Sequence, residues 1–208
     1  MIMRYFLLTI LFSPSFAQLI TPLDNAYLNH IHVLFEWEQI PETIGYDLQF
    51  SKDLEFSDEV TQVFTEDLVH IEKDIIEWDN TYYWRVRASD YENEGPGEWL
   101  DTLSFSTGVP LSDPTISSID EELYANGLTV FGAFFNYFSA VIDKSGREIW
   151  NSGDNSFVYY SIRENGNILG CELAPGTQNN LPGSERTFDG QIIWSEPNND
   201  FLHHDMIK

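Results

Sequence analysis

Three consecutive residues near the end of the chain, His203, His204 and Asp205, form its densest cluster of side chains able to do chemistry. An imidazole titrates near neutrality, so it can exchange a proton, hold an oxyanion or attack as a nucleophile. On a strand, successive side chains face opposite ways. His203 and Asp205 would then share one side and His204 the other, an arrangement poorly suited to one metal ion held by all three. No metal and no cofactor is expected. The remaining histidines, His30 and His32 beside the first strong strand and His70 in a loop, read as incidental. Cys171, the one cysteine of 208 residues, follows the apolar run Ile168-Leu-Gly170 and reads as an inert core thiol.

The elements that must carry such a cluster are strands. Val33, Phe35 and Trp37 alternate with polar or exposed neighbours, as do Tyr46, Leu48 and Phe50; Tyr82, Trp84, Val86 and Ala88; and Leu103, Phe105 and Thr107. This period of two marks half-buried strands. Turn-forming residues punctuate them at Pro22, Pro41, Gly45, Asp79-Asn80 and Glu94-Gly95-Pro96-Gly97. Residues 18–107 therefore predict an antiparallel β-sandwich with an aromatic core. Tyr83, Arg85 and Arg87 occupy the opposite face of their strand, where they read as solvated partners of nearby acids or as a binding strip. Residues 108–119, rich in Pro and Ser, read as an exposed linker.

Beyond the linker the chain repeats. Gly146-Arg-Glu-Ile149-Trp150 recurs 44 positions later as Gly190-Gln-Ile-Ile193-Trp194, and the same offset carries Val158-Tyr159-Tyr160 onto Leu202-His203-His204. A period of that length in a strand-rich chain predicts propeller blades of four strands each. Residues 120–208 hold about two such units, while a ring closes with at least about four. The expected fold class is thus all-β: a sandwich followed by the first blades of an incomplete propeller. The last residues fall inside an expected strand, one residue before the hairpin turn that Asn165-Gly166 provides in the first copy, which predicts a chain cut short.

Charge and the amino terminus bound the setting. Ten basic against thirty-four acidic residues give a net charge of -24, which repels nucleic-acid phosphates, so no nucleic-acid partner is expected. Arg4, the apolar run Tyr5 to Phe12 and Ser15-Phe16-Ala17 read as a secretory signal over residues 1–17, cleaved after Ala17, and so as a secreted or periplasmic protein. That run is about half the roughly 20 residues of a membrane-spanning helix, and no span is expected in the mature chain.

Two resemblances refine this. Trp37, Tyr46-Asp-Leu-Gln-Phe50, Tyr82-Tyr-Trp-Arg-Val-Arg-Ala88, Trp99 and Ser104-Phe-Ser-Thr107 resemble a fibronectin type III domain, with Tyr82 in the place of its corner tyrosine. Tyr124-Ala-Asn-Gly-Leu-Thr-Val-Phe-Gly132, Ala140-Val-Ile-Asp-Lys-Ser-Gly-Arg-Glu-Ile-Trp150, Arg163-Glu-Asn-Gly-Asn-Ile-Leu169 and Phe201-Leu-His-His-Asp-Met-Ile-Lys208 resemble the first blades of a bacterial arylsulfate sulfotransferase. That resemblance implies an exported propeller enzyme with aryl sulfate and phenol as small-molecule substrates, transferring a sulfuryl group through a sulfated histidine without a nucleotide donor. It implies a sulfate-holding role at the His203-His204 pair, His204 first, with the nucleophile and an arginine in later blades. These 208 residues are then expected to be inactive alone. The alternative from a different class is a secreted or cell-surface binding or adhesion protein whose histidines are incidental.

Overall fold

The computed structural model describes residues 17–197 except 91–94, 121, 124–126, 134–136 and 174–181. The signal-peptide reading of residues 1–17 falls almost wholly outside that range. All regular structure among the described residues is β.

Eight strands build the first half: β1 (Leu19–Thr21), β2 (Ala26–Leu28), β3 (Val33–Trp37), β4 (Tyr46–Ser51), β5 (Thr61–Thr65), β6 (Val69–Glu72), β7 (Thr81–Ala88) and β8 (Leu103–Thr107). They form a three-stranded sheet, β1-β3-β6, and a five-stranded sheet, β2-β8-β7-β4-β5, in which β2 runs parallel to β8. The period-two residues meet between the sheets. Phe35 of the smaller sheet stacks on Phe50 at 5.3 Å and meets the edges of Trp84 and Phe105 of the larger one at 5.2 and 5.9 Å. Burying such rings contributes roughly 1.5–3 kcal/mol each before the ordering cost. This is the expected sandwich. The Tyr82 hydroxyl accepts the amide of Glu77 at 3.0 Å, five residues upstream, as a corner tyrosine does. His70 lies on β6 rather than in a loop, 3.5 Å from Glu72.

Of the two arginines on this face, Arg87 pairs with an acid as expected and Arg85 does not, and both are stacked on aromatic rings. Trp99 lies against both guanidinium groups, 4.4 Å from Arg85 and 4.3 Å from Arg87, and Phe56 covers the other side of Arg85 at 3.9 Å. Arg87 also pairs with Asp47 at 2.9 Å, and Arg85 donates twice to Gln49. The stack pins the segment before β8 onto the outer face of the sheet.

The second half contains β9 (Thr129–Ala133), β10 (Phe138–Ile142) and β11 (Glu148–Asn151) in one antiparallel sheet. A four-stranded sheet follows in simple succession from β12 (Phe157–Ile162), β13 (Ile168–Glu172), β14 (Ser184–Arg186) and β15 (Ile192–Ser195). The 44-residue period is physical. Ala140, Val141 and Ile142 face Asn151, Trp150 and Glu148, and their counterparts Ser184, Glu185 and Arg186 face Ser195, Trp194 and Ile192, with a bulge at the same step in both pairs. The hairpin turns match as well. Gly146 donates to Asp143 at 3.0 Å and Gly190 to Thr187 at 3.0 Å, with φ of 87° and 88°. A glycine in the left-handed region after a tight turn creates that bulge and sets strand register.

The two sheets are stitched together by Ser139, which is fully buried. Its hydroxyl donates to the Phe157 carbonyl at 2.9 Å and accepts the Tyr159 amide at 2.8 Å. One unit also grips the next: the Trp150 indole donates to the Phe188 carbonyl at 2.6 Å, and the two rings meet at 5.4 Å.

The sandwich and the repeats share a continuous core, and the segment between them is no free tether. Residues 115–120 are exposed, but Leu111 and Ser112 are fixed. Their amides donate to the two oxygens of the buried Glu148 carboxylate at 2.9 and 2.8 Å. The Ser112 hydroxyl and the Asn151 side-chain amide, at 2.6 Å, complete its shell. From the sandwich, the Trp78 indole donates to the Glu148 carbonyl at 2.7 Å. The acid thus ties linker, sandwich and β11 at one point. A second tie is the Arg147 guanidinium, which donates to the Lys73 and Asp74 carbonyls. Glu72 shapes that loop by accepting the amides of Lys73, Asp74 and Ile75 at 2.9, 2.7 and 3.0 Å. Burial pushes the Glu72 carboxyl up, but the Asp74 and Ile75 amides and His70 outweigh it and leave the group below its ordinary value.

Two predictions follow from these contacts. Gly146→Ala and Gly190→Ala impose the same backbone strain, about 1 kcal/mol. A Cβ at Gly146 also meets the Pro114 carbonyl at 3.0 Å and Ile116 at 3.2 Å, whereas nothing lies within 4 Å at Gly190. Denaturant titration should therefore show Gly146→Ala to be the costlier change, and equal midpoints would contradict the docked linker. Glu148→Ala leaves buried donors without an acceptor and should cost about 3 kcal/mol. Glu77→Ala, removing an exposed pair with Lys52, should stay within about 0.5 kcal/mol.

Candidate functional site

His203, His204 and Asp205 lie outside the described residues, so their placement has no structural account. Their counterparts one unit earlier, Tyr159, Tyr160 and Ser161, sit on β12. Tyr159 and Tyr160 are half-buried and point in different directions. The Tyr159 hydroxyl donates to the Val130 carbonyl at 3.0 Å, in the preceding sheet, and the Tyr160 hydroxyl meets the Cys171 sulfur at 3.0 Å. The first of these residues and the second thus point apart in the described copy, at a bulge between Tyr159 and Ser161. Cys171 is buried on β13, and burial pushes its thiol up, away from the reactive thiolate.

The described residues instead converge at the joint between sandwich and repeats. Asn29, His30 and Ile31 run beside β11 as a short added strand. Ile31 donates to the Ile149 carbonyl and Asn151 to the Asn29 carbonyl, both at 3.0 Å, with His30 opposite Trp150. Asn29 packs against Gly153, where a Cβ would sit 2.5 Å from its side-chain nitrogen. The approach is close because residue 153 carries no side chain, and its φ of 61° suits glycine.

A cavity of about 160 Å³ opens beside this bridge. Trp150, Phe157 and Phe188 give it aromatic walls, and Asn29, His30 and Arg186 supply polar edges. Arg186 is buried, stacked on Phe157 at 4.7 Å and held by Glu172 at 2.8 Å and Ser184 at 3.1 Å. A positive charge inside the fold is thereby both paired and hydrogen-bonded. His30 also borders a wider open groove toward Leu23, Tyr27 and the hairpin turns at Asn165-Gly166 and Asp189.

Burial lowers the His30 imidazole from its ordinary 6.5 to about 4; Asp189 pulls it up and His32 pushes it down further. His32 is lowered too, first by burial, then by Arg147 and Lys73, against Asp143 and Asp74. Two histidines that read as incidental thus stand at a packed junction. Nothing local in Asn29-His30-Ile31 signals a partner 120 positions away. Among the described residues, no group of three or more His, Cys, Asp or Glu is placed to hold a metal ion, and no helix is long and apolar enough to cross a membrane.

No protein-family model and no curated protein matches the chain. Among solved structures, it is similar to the FN1–FN3 domains of chicken CNTN1 at 12% identity and a TM-score of 0.37, over 84% of this chain and 67% of that one. The sandwich assignment rests on strand order and the shared aromatic core.

Proposed function

We propose that this chain forms the amino-terminal part of an exported propeller enzyme of the arylsulfate sulfotransferase kind, a fibronectin type III-like sandwich docked on the first blades. The reading is supported chiefly by the 44-residue unit, which repeats in strand pairing, bulge and turn as blades do. Two units do not close a ring, and the activity belongs to a protein in which further copies complete it.

In that enzyme a histidine nitrogen attacks the sulfur of a phenolic sulfate ester, the sulfur–oxygen bond to the aryl group breaks, and the phenolate leaves with a proton. The acceptor phenol then attacks the same sulfur, loses its proton, and releases the histidine nitrogen. Splitting the transfer in this way gives two easier displacements, with cationic donors holding the sulfuryl oxygens. His203 and His204 carry the oxygen-holding role, His204 first. The signal-like sequence of residues 1–17 supports an exported location, in the periplasm or outside the cell.

A second reading, a secreted binding or adhesion protein, draws on the aromatic and polar cavity at the joint. One experiment separates the two. In the full-length protein, sulfuryl transfer from 4-nitrophenyl sulfate to phenol should fall by about 100-fold in kcat/KM in His204→Asn, His203→Asn or both. Unchanged transfer in both variants removes the enzyme reading and leaves the binding one.

A further inference from the structure

We propose that the joint between the sandwich and the repeats is an acid-released latch, in which protonation of His30 detaches the strand Asn29–Ile31 from β11 while both halves stay folded. The bridge at this point is short. Two backbone hydrogen bonds, Ile31 to Ile149 and Asn151 to Asn29, flank His30, and its ring lies 5.3 Å from that of Phe188 on the neighbouring turn. Among the described residues, the imidazole nitrogens make no hydrogen bond, so a proton gained there finds no acceptor in the docked state.

The surroundings decide the direction of the effect. β11 presents Trp150, which carries no charge. From β14 comes the Arg186 guanidinium, already committed to Glu172 and Ser184. β2 contributes Tyr27. The turn after β14 brings Asp189, whose carboxylate attracts an imidazolium but accepts from the Thr187 hydroxyl instead. On its own segment His32 repels a second positive charge. A single attractive carboxylate stands against desolvation and one like-charged neighbour.

The group titrates near its ordinary 6.5 when detached and at about 4 when docked. A depressed docked value means that the latch is at full strength above 6.5, weakens as pH falls, and has lost its whole contribution below about 4. The difference corresponds to roughly 300-fold in the opening equilibrium.

Amide hydrogen exchange resolved by residue tests the latch between pH 7 and 4, with intrinsic rates divided out. Opening at Ile31 and Asn151 should rise about 100-fold while amides of the β4–β7 ladder keep their protection. In His30→Gln, or in His30→Asn where the first variant folds poorly, the rise should vanish. An equal rise in the neutral variants, joint loss of protection in the β4–β7 ladder, or a flat wild-type profile would each overturn the proposal.

Discussion

The arrangement of the whole molecule depends on one buried carboxylate. A charge removed from water destabilises a fold unless donors surround it, and Glu148 is surrounded by donors from two chain segments. Because an acid in that position must be satisfied, the linker has to pass where Leu111 and Ser112 can reach it. The backbone carbonyl of the same residue then receives Trp78 from the sandwich. Geometry at a single position thereby fixes the course of a connector and the seat of a neighbouring layer.

Much of the fold was legible because one face of a strand was buried and the other was not. Val33, Phe35 and Trp37 alternate because water is excluded from one side of β3 only, and the same reason exposes β7 and β8 to reading from sequence, while β4 keeps the alternation in residue type although Asp47 and Ser51 are buried as well. The short strands β1, β2, β5 and β6 carried a weaker signal. Their inward residues are half-buried or come one at a time, so no clear alternation could form. The repeat was legible because its turn demands glycine at one backbone conformation, and its tryptophan is needed one unit further on. What escaped was everything determined at long range. Glu148 stands out in sequence only as a member of the repeated Gly146–Trp150 motif, Trp99 only as part of the fibronectin type III resemblance, and His30 reads as incidental. Each acquires its role from a partner that local patterning does not identify.

The candidate site shows the same division. The chemistry suggested by His203 and His204 came from residue type and repeat register, and those residues lie outside the described part of the fold. The junction around His30 came from packing alone. A propeller enzyme and a latch at its sandwich are compatible, since the first concerns what the repeats carry and the second how the leading module sits on them.

The Trp150 indole holding the Phe188 carbonyl has a kinetic consequence. The first unit reaches an atom of the unit that follows, so this interaction within the repeats spans a few tens of residues and can form as the chain emerges. The bridge from His30 to Trp150 spans 120 positions and must wait. When it forms, the Asn29–Ile31 segment covers the edge of β11 that its own sheet leaves open, an edge that could otherwise pair with another chain.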